Sequence, residues 1–212
     1  MATPPGYRDI ARQRLRDSII DAARDLTIAH GWDNVRMAQV ATKTGVSRQT
    51  VYNEFDSKAG LAEALAQREA ERFIAGVRAS LFAHGDDVRA GAYSAILYVL
   101  RDAADDPLIK AILAGTRDGP DPLLPFLTTR AEMVLTAATA VLQEWAAEHL
   151  PGISAERRSF AAESIVRLVV SHMVLPTAPA EHTAGHLADA IARAALAAEP
   201  HLGEVPVRCR RP

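Results

Sequence analysis

The stretch that decides the fold is Val40-Ala41-Thr42-Lys43-Thr44-Gly45-Val46-Ser47-Arg48-Gln49-Thr50-Val51-Tyr52-Asn53-Glu54-Phe55. Two short helices, about Met37 to Lys43 and Arg48 to Phe55, fit around Gly45, because glycine accepts the left-handed conformation of a tight turn. Val40 and Ala41 are small and apolar, so the two helices can approach. Val46 plugs the corner, and the Ser47 hydroxyl can cap the second helix. Val51 and Phe55, four apart, share one face and form the expected buried pair. Arg48, Gln49, Thr50, Tyr52 and Asn53 are left pointing outward or along the edge. Those types suit groove readout: Arg for guanine, Gln or Asn for adenine, Thr and Tyr for phosphate or a thymine methyl. A helix-turn-helix lays such a second helix in the major groove. The blander reading is a structural helical hairpin, which does not explain why outward polar residues coincide with so specific a turn.

Outward from this stretch the chain reads as all-α. Alanine and leucine abound and alternating β-branched runs are nearly absent. A first helix spans about Ile10 to His30, with Leu15, Ile19, Ala22 and Leu26 as its apolar stripe and Gly31 as its stop. Another runs from Ser57 or Lys58 to about Phe82, burying Leu61, Leu65, Phe73, Val77 and Leu81. Gly85-Asp86-Asp87 breaks it, and a helix from Val88 to about Ala104 follows. Asp106-Pro107 and Asp121-Pro122 each pair an N-cap acceptor with a proline at the first helical position. They open a short helix to about Leu113 and a long one to about His149, with a loop at Gly115 to Gly119 between them. Ser154 caps a helix over about 155–175, and the last helix covers about 181–198.

The helix-turn-helix stretch resembles the TetR family of bacterial transcriptional regulators. The resemblance rests on the order Ala-x-x-x-Gly-Val-Ser-x-x-Thr-x-Tyr-x-x-Phe and on Asp56-Ser57-Lys58-Ala59-Gly60-Leu61, which is similar to the family's Phe-x-Ser-Lys-x-x-Leu junction. It covers about residues 10–65; beyond them only length and helix count agree. It implies a three-helix DNA-binding head (1–58) and a helical ligand-binding and dimer-forming body (59–200), followed by a basic tail (201–212) expected to be flexible. It also implies a homodimer on near-palindromic double-stranded operator DNA, most simply a repressor released by a small effector. Thr50 and Tyr52 would contact the DNA backbone and Lys58 a phosphate. Ser47 would hold the helix start, and Arg48, Gln49 and Asn53 would read bases.

Two departures stand out. Arg36 occupies a position where many members carry Thr or Ser; it could reach a phosphate directly, with capping passed to Asn34. Glu54 replaces a common His. Beside DNA a carboxylate repels phosphate, so it turns away, pairs with Lys58 or Arg48, or accepts from a cytosine N4. Arg8, Arg12, Arg14 and Arg16 read either as a solvated helix start alternating with Asp9 and Asp17 or as an arm on DNA.

In the body, Tyr93, Leu97, Met133, Ala137, Trp145, Leu168 and His172 are the candidate ligand-binding residues. Core packing explains Tyr93, Met133 and Trp145 equally well, and His172, set among Val169, Val170, Met173 and Val174, reads first as a satisfied core histidine and second as a polar handle in a ligand pocket. The effector should be lipophilic, because the body offers few buried polar candidates. The last two helices should pair with their copies as a four-helix interface through Ala161, Ile165, Ala188, Ile191 and Ala195, with Leu168 on the same small, apolar faces.

The whole chain of 212 residues carries a net charge of −2, which at first argues against nucleic acid. Residues 1–60 hold nine Lys/Arg and seven Asp/Glu (net +2), residues 61–200 twelve and eighteen (−6), and residues 201–212 three and one (+2). A mildly basic head on an acidic body fits DNA binding of modest nonspecific strength. The lone Cys209, in the tail Arg208-Cys209-Arg210-Arg211, can form no internal disulfide, which suits a cytoplasmic protein. No secretory h-region and no apolar stretch of membrane-spanning length appears. His182 and His186 have ligand-like spacing without a third partner, so neither metal nor cofactor is expected. Without a Gly-rich phosphate loop or a nucleophile turn, an enzyme is not expected either. The rival readings are a constitutive repressor with a filled core, and a small helical enzyme or binding protein with a vestigial helix-turn-helix.

Overall fold

The computed structural model describes residues 6–109 and 132–197. Its helices are α1 (Tyr7–His30), α2 (Met37–Thr44), α3 (Arg48–Phe55), α4 (Lys58–Phe82), α5 (Val88–Asp105), α6 (Glu132–His149), α7 (Ala155–Val174) and α8 (Ala180–Ala197), with a 3-10 turn at Trp32–Asn34. Among the described residues there is no strand, and no helix is long and apolar enough to cross a membrane. The loop expected at Gly115 to Gly119, the helix start at Asp121-Pro122 and the tail 201–212 lie outside the described residues.

The helix ends follow local chemistry. Ser47 Oγ accepts from the Thr50 N–H at 3.0 Å, and Ser57 Oγ accepts from the Gly60 N–H at 3.0 Å. Asp87 and Ser154 cap α5 and α7 in the same way. Asp106 Oδ1 accepts from the Leu108 N–H at 2.7 Å, the expected cap before Pro107. One expectation is corrected. Asn34 does not cap α2; its side-chain amide donates to the His30 carbonyl at the end of α1, and Gln39 Oε1 accepts from the Arg36 N–H instead.

The head is built on one apolar cluster. Ile19 and Ala23 of α1, Trp32 of the turn, Val40 and Ala41 of α2, and Val51 and Phe55 of α3 meet Leu61 and Leu65 of α4. A fully buried aliphatic side chain of this kind contributes ~1.5–3 kcal/mol. The head core therefore does not stop at residue 58: the first two turns of α4 complete it, and Leu108 adds to it from beyond α5. The body packs α5 against α4 and α8, and α6 against α7. Two further clusters hold it, one around Leu81, Ala95 and Trp145, the other around Ile96, Leu100, Val169 and Ala184.

Candidate nucleic-acid interface and body cavity

The recognition helix is held by its turn and by α1. Gly45 closes α2 in the left-handed region (φ 71°, ψ 22°), as the turn requires. Val51 is fully buried, whereas Arg48, Gln49 and Asn53 are exposed and Thr50 and Tyr52 are half-buried at the edge. Along the exposed face, Arg48 Nη2 donates to the Tyr52 hydroxyl at 3.3 Å, and Gln49 Nε2 donates to Asn53 Oδ1 at 2.9 Å. The second pair leaves the Gln49 oxygen as an acceptor and the Asn53 amide as a donor, the complement of an adenine major-groove edge. Ser47 Oγ also shares a hydrogen bond with Thr50 Oγ1 at 2.8 Å. Arg36 is exposed at the start of α2. Lys58 stands at the start of α4, where its Nζ donates to the Asp33 carbonyl at 3.1 Å and lies 5.3 Å from the Trp32 ring centre.

Glu54 takes neither partner expected from its neighbours in sequence. Its carboxylate accepts from Arg12 Nε at 3.0 Å and from Arg16 Nη1 at 3.1 Å, both on α1. Arg16 also donates to the Glu54 backbone carbonyl and stacks its guanidinium 4.4 Å over the Phe55 ring. Burial pushes the Glu54 carboxyl up, but bonds and charge from the two arginines outweigh it and hold the group below its ordinary range. Arg12 and Arg16 are more than a solvated helix start: both pair with Glu54 at the end of α3. The sequence carried a signal for this, since Arg8, Arg12 and Arg16 recur every four residues along one face of α1. The junction that follows is tight. Asp56 has φ 57°, and a Cβ at Gly60 would lie 2.2 Å from the Phe55 carbonyl oxygen, so only glycine fits there without movement.

In the body, α4, α5, α6 and α7 line a partly open cavity of about 540 Å³, and Ile191 of α8 adds to the wall. That lies within the usual range of ~300–1,000 Å³ for small-molecule sites. The walls are mainly aliphatic and often alanine, including Ala66, Ala70, Ala95 and Ala138; charge enters through Glu69, Arg72, Asp102 and Asp106. The sequence reading missed these alanines because a periodic small residue looks the same whether it packs or leaves room.

Of the candidate ligand residues, Trp145 lines the cavity. It is buried, its ring stacks on His149 at 5.0 Å, and its Nε1–H has no hydrogen-bond partner among the described residues. Tyr93 and Leu97 instead pack in the cluster shared by α5 and α8. Ala137 stands beside the wall residue Ala138 but outside the wall, and Leu168 is exposed on α7. His172 is half-buried outside the wall, which corrects the expectation of a core histidine. The side chain of Met133 lies outside the described residues.

Some of the candidate dimer residues are spent within the chain. Ala188 is fully buried, and Ile165 and Ile191 line the cavity, because the inner faces of α7 and α8 are needed to cover α5. Ala161 is exposed and Ala195 half-buried. The apolar side chains left outside on and after α7 and on α8 are Phe160, Leu168, Val174, Leu175 and Leu196. His182 and His186 lie 4.2 Å apart between ring centres, and no group of three or more metal-ligating side chains occurs among the described residues.

The chain matches two family profiles. One, described as bacterial regulatory proteins of the tetR family, matches residues 19–65; the other, described as the bacterial tetracyclin repressor C-terminal domain, matches residues 87–193. It is 35% identical over 186 residues to the HTH-type transcriptional regulator AlkX of Mycobacterium tuberculosis, covering 86% of this chain and 85% of that one. Over the head alone it is 37% identical across 67 residues to the HTH-type transcriptional repressor ComR of Escherichia coli, 32% of each chain. Among solved structures it is similar to the TetR family repressor AlkX of Dietzia sp., implicated in biodegradation of n-alkanes. The TM-score is 0.65 at 31% identity, over 86% of this chain and 95% of that one.

Proposed function

Because this chain belongs to the TetR family and is a DNA-binding transcriptional regulator, we propose that it is a homodimeric repressor of a near-palindromic operator, released by a predominantly apolar effector bound in the body. The observation that carries this reading is the aliphatic cavity of about 540 Å³ beside a complete helix-turn-helix head. Such a void favours a ligand-responsive regulator over a constitutive repressor with a filled core. The link of a similar repressor to n-alkane breakdown supports a hydrocarbon-derived effector.

In the operator complex, Gln49, Asn53 and Arg48 read base edges. Thr50 and Tyr52 contact the backbone with Ser47 at the helix start, and Arg36 and Lys58 reach phosphates. A dimer through the outward faces of α7 and α8 buries Phe160, Leu168, Val174, Leu175 and Leu196 and spaces the recognition helices by about one DNA turn, ~34–36 Å, or a multiple of it. Effector binding shifts that spacing only as far as it prefers one arrangement over the other.

The test is to select operator DNA with the purified protein, then measure its binding with and without n-alkanes and the matching alcohols and acids. Release by at least one long-chain compound is expected. Release by a charged, water-soluble molecule alone would refute the apolar effector. For the dimer, Leu168→Glu with Leu196→Glu should sediment as a monomer at micromolar concentration while the parent sediments as a dimer.

A further inference from the structure

The charged end of the cavity is also the seam between head and body. Arg24 reaches out of α1 and donates through Nε to Glu69 Oε1 at 3.0 Å and through Nη2 to Asp106 Oδ2 at 3.4 Å. Arg72, three residues beyond Glu69 on α4, donates to the other Glu69 oxygen at 3.0 Å and to the same Asp106 oxygen at 2.6 Å. One oxygen of Asp106 is thus shared between a guanidinium of the head and a guanidinium of the body. Its other oxygen accepts from the Leu108 N–H at 2.7 Å. The Asp106 side chain is only 5% exposed, so it depends on both arginines; losing one partner leaves a poorly solvated charge under-compensated.

Leu108 supplies a second, independent tie. It is buried in the head cluster with Ile19, Ala23 and Leu65, and it also lines the cavity. Glu69, Arg72 and Asp106 line that cavity too. The same short corner therefore faces the ligand space on one side and the head core on the other.

We infer that the corner Asp106–Leu108, tied to α1 by Arg24, is the positioning element through which occupancy of the cavity sets the placement of the head. The inference rests on the effector-release reading above. A molecule that fills this end of the cavity meets Arg72 and Leu108. Displacing Arg72 alters the charge that Asp106 shares with Arg24, and displacing Leu108 alters the packing under Ile19 and Leu65. Both movements reach the head without any contact between ligand and DNA.

The test uses the full chain, operator DNA selected by it, and N-phenyl-1-naphthylamine, an uncharged apolar fluorophore, as the probe. Asp106→Asn keeps an acceptor for the helix start and removes the shared charge; Arg24→Gln removes the tie to α1. Circular dichroism melts establish that both variants fold. Arg24 lies outside the cavity wall, so Arg24→Gln should bind the dye like the parent; for Asp106→Asn, whose side chain lines the wall, the dye is added to saturation. It should lower the operator affinity of the parent about tenfold and that of the variants less than about twofold. Arg24→Lys, which restores the charge, should restore the response. Without dye, both variants should bind operator more weakly at an unchanged salt dependence, because neither side chain touches phosphate. Variants that keep the full response of the parent overturn the inference and leave the release reading standing. If the dye fills the cavity of the parent and operator affinity does not move, the release reading fails. The inference then falls with it, because no response to the cavity remains for the corner to carry.

Discussion

In the head, Val40, Val51, Phe55 and Leu61 close on one another with at most 4% of their surface exposed; in the body, helices of similar amphipathic character stand apart around a cavity of about 540 Å³. The difference lies in side-chain size at facing positions. The head brings Trp32, Phe55 and branched residues to its centre, whereas the body turns Ala66, Ala70, Ala95 and Ala138 toward the space between α4, α5 and α6. A surface that reads DNA must present its donors and acceptors in one geometry, and tight packing supplies that. The ligand response proposed for the body needs room instead, and small residues at facing positions supply it.

The contrast can be broken by mutation. Phe55→Ala should destabilise the head by ~3–5 kcal/mol, because a close-packed site relaxes little around a cavity. Denaturant unfolding followed through Trp32 fluorescence measures it, and a loss below about 1 kcal/mol would mean that the head is as loosely packed as the body. On the DNA face, Gln49→Ala or Asn53→Ala should cost ~1–3 kcal/mol at particular base pairs, while Tyr52→Ala should weaken binding across sequences. Parent-like operator binding by all three would remove α3 from the groove.

Arg16→Ala should lower operator affinity less, about tenfold, without changing the slope of log affinity against log salt; a slope reduced by about 0.9 would place Arg16 on a phosphate instead. In the body, Ala138→Leu should change stability by less than ~1 kcal/mol, against the ~1–3 that overpacking costs in a filled core, and should abolish dye binding. The smallest effect is the pH response of Glu54. Its carboxyl is held below the ordinary 4.5 in the folded head, so its contribution is present above that value and is lost as pH falls through the folded value. Glu54→Gln should therefore flatten the acid limb of a pH–stability curve, and an unchanged acid limb would mean that the arginine clamp adds nothing to folding.

The head was largely legible in the sequence. The limits of α3, the Ser47 cap, the Gly45 turn and the burial of Val51 and Phe55 all depend on residues within a few positions of one another. Partners across the fold were not legible. For Glu54 the sequence left three outcomes open, turning away, pairing with Lys58 or Arg48, or accepting from a cytosine; none of them named Arg12, 42 residues away in sequence, with which it pairs. In the body, the period of α5, α7 and α8 located their apolar stripes but not what each stripe would face. Tyr93 and Leu97 therefore went to a helix seam, Ile165 and Ile191 to the cavity, and Leu168 to the outer surface.

By itself, then, the sequence determined an all-α chain with a helix-turn-helix at its head, because turn chemistry, capping and a 3.6-residue period act over single turns. The tertiary structure alone decided where the body leaves space, which helix faces turn outward, and that one carboxylate, Asp106, joins the two halves. Those features depend on helices brought together from distant parts of the chain, where the size of each neighbour, and not the hydrophobicity of a position, decides between core, cavity and surface.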